Sequence, residues 1–344
     1  MTPSRFREIT SNYSALKIGV VGDFCLDRYL EIDPAKPERS IETGLAVHNV
    51  TNVRSHPGGA GTVLNNLCAL GIGKIYPVGF CGEDGEGFEL RRALANLKQI
   101  STEYFFASSL RRTFTYTKPL VVQPGRPPRE LNRLDLKNWT PTPAALETKL
   151  TRAVAALARK VDALIVLDQV DYAQTGVVTR RVLKMIERAG SKRLKLIILA
   201  DSRRGLRNFP PFIYKMNRAE LGSYLGSLSK LSVAQTQTAA VTLARKIKRP
   251  VIITMAERGI MAASPTGELA QVPAFPLRGE IDIVGAGDVV TANIVSALVS
   301  GASLREALEL AMAAASVVIH KLGTTGTAST VEIKRLLFSG RGNA

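Results

Sequence analysis

Short apolar runs separated by stretches of helical periodicity constrain this chain more than any other feature. Ala163–Leu167, Leu196–Ala200 and Val251–Thr254 are short apolar runs, too short for helices, as strands buried on both faces must be. Lys17–Gly22 reads the same way. Between the later runs lie Pro143–Lys160, Val178–Ala189 and Val233–Lys248, where apolar residues recur at helical spacing. This alternation predicts an α/β fold: a doubly wound, mostly parallel sheet flanked by helices. Two regions break the rhythm. Residues 28–56 are rich in β-branched residues, charges and prolines, and residues 104–136 alternate Phe, Tyr, Thr, Val and Arg around a proline-rich loop. Both read as antiparallel strands inserted outside the main sheet, a small β-sheet lid over the mouth of the core. The 344 residues fit a single domain, 1–344, of this kind.

Composition sets the class of partner. Hydrophobic residues make up 45% and charged residues 22%, enough for a packed core. The net charge of +17 points to something anionic. However, Lys and Arg run along the whole chain, aromatic residues are 6%, and no zinc-finger, helix-turn-helix or RNP signature occurs. The charge reads as a solvated surface or as steering for a phosphorylated ligand, and neither nucleic acid nor membrane is expected as a partner. The polar N-terminus has no apolar signal-peptide core, and the uncharged run Val289–Leu304 reads as a buried helix. Cys25, Cys68 and Cys81 follow no CxxC spacing and read as reduced, so a cytoplasmic protein is expected. His48, His56 and His320 are scattered, which disfavours zinc.

Four motifs carry chemistry. Asp282-Ile-Val-Gly-Ala-Gly-Asp288 precedes an apolar helix. Gly285 and Gly287 permit a tight turn, and the amides around Ala286 would open a helix N-terminus, a natural anion site. Asp288 there can take a proton from an attacking hydroxyl, which suits phosphoryl transfer; equally, it can cap the helix. The second motif, His56-Pro-Gly-Gly-Ala-Gly-Thr-Val-Leu-Asn-Asn66, can hold a hydroxylated ligand against bare backbone at Gly58 and Gly59, or be a plain strand-to-helix turn. The third places Asp84 as a helix cap. The fourth, Asn217-Arg-Ala-Glu220, sets an amide and a carboxylate on one side of a helix start. They can hold hydrated Mg2+ and nucleotide phosphates, or cap one another. There is no GxxxxGK[ST] loop, and the first strand continues as Gly22-Asp-Phe-Cys-Leu-Asp27 rather than GxGxxG. A P-loop kinase and a dinucleotide dehydrogenase are therefore disfavoured.

In this order the motifs resemble the ribokinase-like (pfkB) carbohydrate kinase family, from about Lys17 to Glu332. Within it they are most similar to the kinase domain of the bacterial D-glycero-β-D-manno-heptose 7-phosphate kinase/ADP-heptose synthase. VVGDFCLDRY at 20–29, PGGAGTVLNNLCALG at 57–71, LNRLD at 131–135, ADSRRG at 200–205, MNRAELGSYLG at 216–226 and KLGTTGTAST at 321–330 carry that likeness. The resemblance implies ATP-dependent transfer of the γ-phosphoryl group to a sugar or sugar-phosphate hydroxyl, with heptose 7-phosphate the leading acceptor. It implies Asp288 as base, with Gly285, Ala286 and Gly287 as the anion hole. Asp27, Gly58, Gly59, Thr62 and Asn66 would bind sugar. Asn217, Glu220, Thr254, Gly259 and Gly323 would lie at ATP, with Glu220 reaching Mg2+ through water and Asp282 at a monovalent cation such as K+. Arg203 could face a phosphate. The lid would also be a homodimer surface. Thr62 stands where that branch carries asparagine, and Ile283 where it carries threonine. A kinase of the same fold acting on fructose phosphate, ribose or a nucleoside, and a non-catalytic sugar-binding or interaction protein, are the alternatives.

Overall fold

The computed structural model describes residues 1–323 and 325–338. Its main sheet has nine strands. Across the sheet these run Leu269–Val272, Ile260–Ala263, Val251–Thr254, Ile213–Asn217, Ile197–Ser202, Ala163–Asp168, Lys17–Gly22, Lys74–Gly82 and Phe105–Ser108. The strands from Val251–Thr254 to Phe105–Ser108 are parallel, and the other two turn back as an antiparallel edge. The expected doubly wound sheet is therefore present.

The sheet forms because alternate side chains of each central strand enter different cores. In Ala163–Asp168, Ala163, Ile165 and Leu167 pack into one cluster, while Leu164 and Val166 pack into the other. The first cluster takes helices Pro3–Ser11, Ala60–Leu70, Gly85–Ala95, Ala286–Val299, Leu304–Ile319 and Thr330–Phe338. The second takes Ala144–Leu157, Arg180–Lys192, Arg218–Leu225 and Val233–Ile247. Asp84 caps Gly85–Ala95 by accepting the Gly87 amide at 2.8 Å, as the sequence predicts. The uncharged run at 289–304 is not one helix. Ala286–Val299 ends, Gly301 takes a positive φ, and Ser303 starts Leu304–Ile319 with a reciprocal cap to Glu306.

The second sheet, the lid, differs from expectation in two ways. Its strands are Leu134–Leu136, Phe114–Val121, Phe24–Ile32 and Val50–Gly59, with Arg129–Glu130 paired to Phe114–Val121. Its central pair, Phe24–Ile32 with Phe114–Val121, is parallel rather than antiparallel. Moreover, Phe105–Ser108 belongs to the main sheet, beside Lys74–Gly82. Alternating residue types could not distinguish these cases, because pairing partners far apart in the chain decide them.

Strand order reverses between Lys17–Gly22 and Ala163–Asp168, since the chain winds outward on one side of this pair and then on the other. Open α/β sheets bind ligands at such a point, beyond the carboxyl ends of the strands. The lid stands over that end, because Phe24–Ile32 follows directly from the first strand.

Candidate active site

Asp23 follows the first strand, and its carboxylate accepts the amides of Gln169 at 2.8 Å and Val177 at 2.6 Å. The loop beyond the neighbouring strand is thereby pinned at the switch point. Burial, together with the nearby Asp168 carboxylate, holds Asp23 well above the usual carboxylate range. The Ala60 amide donates to the Asp23 carbonyl at 2.9 Å. Gly59 has φ +57°, and a Cβ on it would lie 2.5 Å from that same carbonyl, so both conformation and space demand glycine. A Cβ on Gly58 would lie 2.5 Å from an Asp27 carboxylate oxygen, so Gly58 sits directly against this acid.

The second glycine motif meets the first here. Gly285 has φ +82°, and a Cβ on it would lie 2.8 Å from Thr325 and 3.6 Å from Thr62. Between them is a cleft of about 290 Å³. Asp23, Asp27, Gly59 and Thr62 line one wall; Val284, Gly285 and Asp288 line another. The Asp288 side chain makes no hydrogen bond among the described residues, and Gly285 is the N-cap, so this acid is not spent on capping. Instead it stands half-buried, facing the cleft. Burial pushes its pKa up to about 7; Lys215 and Arg203 pull it down, while Asp201 and Asp27 push further up. The turn itself uses some of the expected amides: Ala286 donates to Ile283 and Asp288 to Gly285, both at 3.1 Å. Among the described residues the amides of Gly285 and Gly287 have no partner, and they remain for an anion.

Lys215 was not anticipated. It lies in the strand Ile213–Asn217, buried, with Nζ 2.6 Å from Asp201 at the end of the adjacent strand. A Cβ on Gly287 would lie 3.1 Å from this Nζ, so the ammonium rests against the glycine turn. Burial alone would lower its pKa, but Asp201, then Asp288 and Glu220, outweigh that and raise it. A cation at the positive end of a helix is unfavourable unless anions surround it, which suits a site that receives phosphate. The signal was a lone lysine inside the apolar run Phe212–Met216.

The lid side is cationic. Burial raises the Asp27 pKa, with Lys118, Arg133 and His56 opposing. Lys118 Nζ is 3.9 Å from Asp27 and donates to the Tyr29 hydroxyl at 3.2 Å. Arg133 lies 5.0 Å over the Tyr116 ring. From Arg133 an alternating chain of charges runs through Asp135 at 2.7 Å, Lys137 at 3.4 Å, Asp171 at 2.7 Å and Arg203 at 3.5 Å. Lys118, Arg133 and Arg203 all line the cleft.

The remaining expected residues are less convergent. Asn66 is buried and donates to the Thr62 carbonyl at 3.0 Å; it does not line the cleft. Asn217 and Glu220 cap each other: the Glu220 amide donates to Asn217 at 2.9 Å and the Asn217 amide to Glu220 at 2.6 Å. Thr254 ends its strand half-buried. Gly259 has φ +85°, and its Cβ would lie 2.1 Å from the Val272 carbonyl, so strand contact suffices to explain it. Ala256 holds φ +51°, an uncommon conformation for a residue with a Cβ. Asp282 accepts the Val284 amide at 3.0 Å. Gly323 is exposed at φ +70°, and its neighbour Thr324 lies outside the described residues.

A model described as pfkB family carbohydrate kinase matches residues 20–331. The chain belongs to this family. Among curated relatives, bifunctional protein HldE of Bradyrhizobium sp. is 28% identical over 347 residues, covering 96% of this chain and 65% of its own length. Bifunctional protein HldE of Azorhizobium caulinodans is 30% identical over 308 residues, covering 89% and 61%. The chain thus spans about two thirds or less of these relatives. Arabidopsis thaliana ribokinase complexed with ribose and ATP superposes with a TM-score of 0.67 at 20% identity, covering 94% of this chain and 99% of that one. Escherichia coli phosphofructokinase-2 in complex with substrates and products gives 0.70 at 17%, covering 93% and 98%. These likenesses establish the ribokinase-like fold of this pfkB carbohydrate kinase. No helix among the described residues is long and apolar enough to cross a membrane.

Proposed function

We propose that this pfkB carbohydrate kinase transfers the ATP γ-phosphoryl group to a hydroxyl of a sugar that already carries a phosphate, with heptose 7-phosphate the leading acceptor. One observation carries the reading: a single cleft is lined both by an Asp288 that makes no hydrogen bond among the described residues and by the cations Lys118, Arg133 and Arg203. A neutral sugar would give those three cations nothing to neutralise. A phosphorylated one would complete the charge chain that now ends on two arginines.

In this mechanism Asp27 and the bare backbone of Gly59 orient sugar hydroxyls, while Gly58, expected to share that role, is buried and does not line the cleft but leaves room for the Asp27 carboxylate. Asp288, with a pKa of about 7, takes the proton of the reacting hydroxyl as its oxygen attacks phosphorus. The Gly285 and Gly287 amides, with Lys215 behind them, stabilise charge on the migrating phosphoryl. The lid over the cleft excludes water, the competing acceptor. Mg2+ would neutralise phosphate charge when bound. Among the described residues no cluster of three or more acids, histidines or cysteines could hold a metal, but Glu220 keeps one carboxylate oxygen outside its cap. That suits a hydrated ion held mainly by the nucleotide. Asp282 is the candidate contact for K+. The exposed lid residues Val50, Val53, Leu134 and Leu136 support a homodimer through the lid. A cytoplasmic setting accords with the ATP requirement.

The test is a substrate panel followed by ATP consumption, with heptose 7-phosphate, fructose 6-phosphate, ribose and a nucleoside. The double variant R133A/R203A should raise KM for the phosphorylated acceptor by about ten- to a hundredfold while leaving the KM of any unphosphorylated acceptor unchanged. An equal rise in KM for both kinds of acceptor would remove the phosphate-binding role. ATP binding without turnover on any sugar would favour the non-catalytic alternative.

A further inference from the structure

The spread of Lys and Arg along the sequence argued against a polyanionic partner, but folding gathers them. Residues 144–249 hold 21 Lys and Arg against 7 Asp and Glu, a net of +14 out of the chain's +17. This stretch supplies the four helices that cover one face of the sheet and three of its central strands.

Within that face the charge concentrates at one end. Arg159 and Lys160 precede the strand Ala163–Asp168; Lys192 and Lys195 precede Ile197–Ser202; Lys248 and Arg249 precede Val251–Thr254. All six are exposed. The strands begin side by side, with Ala163 opposite Ile197 and Tyr214 opposite Val251. Lys17 and Lys74 extend the row as the paired first residues of the next two strands. At the usual spacing of strands this row spans about 24 Å. It lies at the amino ends of the strands, about 20 Å from the cleft at their carboxyl ends. Few acids answer it. Among the described residues only Lys160 of the six has an ion-pair partner, Glu103 at 3.5 Å. Asp162 is occupied by the Lys17 amide at 2.8 Å. Arg193 ties two of these turns together by donating to the Ala158 carbonyl at 2.9 Å.

One apolar side chain stands in the middle. Leu194, between Arg193 and Lys195, is 82% exposed. Cations ringing an exposed aliphatic residue fit the headgroup layer of a bilayer, where anionic lipids attract the charge and the apolar group enters the acyl boundary. Nucleic acid would favour stacking aromatics, and none of the residues in this row is aromatic.

We propose that this basic end is a peripheral docking surface for an anionic phospholipid bilayer, leaving the cleft and lid at the opposite end open to substrates. The proposal is independent of which sugar the cleft takes.

The full chain is sedimented with vesicles of phosphatidylcholine alone and of phosphatidylcholine with about 30% phosphatidylglycerol, in parallel with retention on single-stranded RNA. Binding is expected only to the anionic vesicles, and salt should release it. Each cation near such a surface is worth about fivefold in partitioning, so K192Q/K195Q/K248Q/R249Q should weaken binding several-hundredfold with turnover unchanged. L194S should weaken vesicle binding and leave any RNA retention alone. No binding to anionic vesicles, or binding that survives the quadruple variant, overturns the proposal. So does RNA retention without vesicle binding, which would identify a nucleic-acid surface instead. Equal loss on vesicles and RNA, insensitive to L194S, would reduce the surface to general polyanion attraction and also overturn it.

Discussion

Replacing Asp288 by asparagine should make the protein slower and more stable at once. The base is ionised only above its pKa, so wild-type kcat/KM should fall about tenfold per pH unit below a midpoint near 7 and level off above it. The amide of D288N cannot take a proton, so turnover should drop about a hundredfold or more and the acid limb should vanish. Stability moves the other way. In the unfolded chain this carboxyl titrates near 3.8, in the folded protein near 7. Between those values the unfolded state releases a proton that the folded state keeps, so the acid costs stability increasingly as pH rises through this window. That difference corresponds to at most about 4 kcal/mol above pH 7, and to little below pH 4. Asparagine removes that cost. Thermal or urea melts from pH 4 to 8 should show D288N gaining on wild type across that window, alongside kinetics on the same samples. Near-normal turnover, or a stability difference that does not change with pH, would refute the assignment of a desolvated base.

The sheet and each glycine turn taken singly were legible because they rest on local rules, whereas the meeting of the two turns, more than two hundred residues apart, was expected from the family resemblance. Apolar runs of strand length have few alternatives, and a positive-φ glycine beside an acid advertises a tight approach. The lid was less legible: the parallel pairing of Phe24–Ile32 with Phe114–Val121 joins residues far apart, and no periodicity encodes a partner. The split of the 289–304 run turned on a single glycine and the cap at Ser303, which an uncharged composition hides. At the site, Asp288 was visible from its motif, whereas Lys215 lay in no motif. Its place comes from three elements converging: its own strand, Asp201 on the next, and the turn at Gly287. The charged face was hidden for the same reason, since a linear spread of lysines becomes a surface only when the strands that carry them are set side by side.

Gly59→Ala should lower unfolding free energy by about 2 kcal/mol or more in urea melts. The left-handed backbone and a carbonyl 2.5 Å from the new methyl both resist it; an unchanged midpoint would contradict the packing described. Lys215→Met should abolish most turnover, but it also strands Asp201, a buried acid without its counter-ion, at a cost of about 3–5 kcal/mol. A simple loss of activity would thus not distinguish a lysine that holds the fold together from one that serves the phosphoryl group. The double variant K215M/D201N separates them. With both charges gone, the desolvation penalty disappears and melting should return close to wild type, because replacing a whole buried pair is often neutral. Turnover should stay low, with kcat reduced more than the KM for ATP, since the missing cation acts on charge that develops in the transition state. Recovery of kcat together with stability would make Lys215 a structural residue and leave the Gly285 and Gly287 amides as the anion site alone.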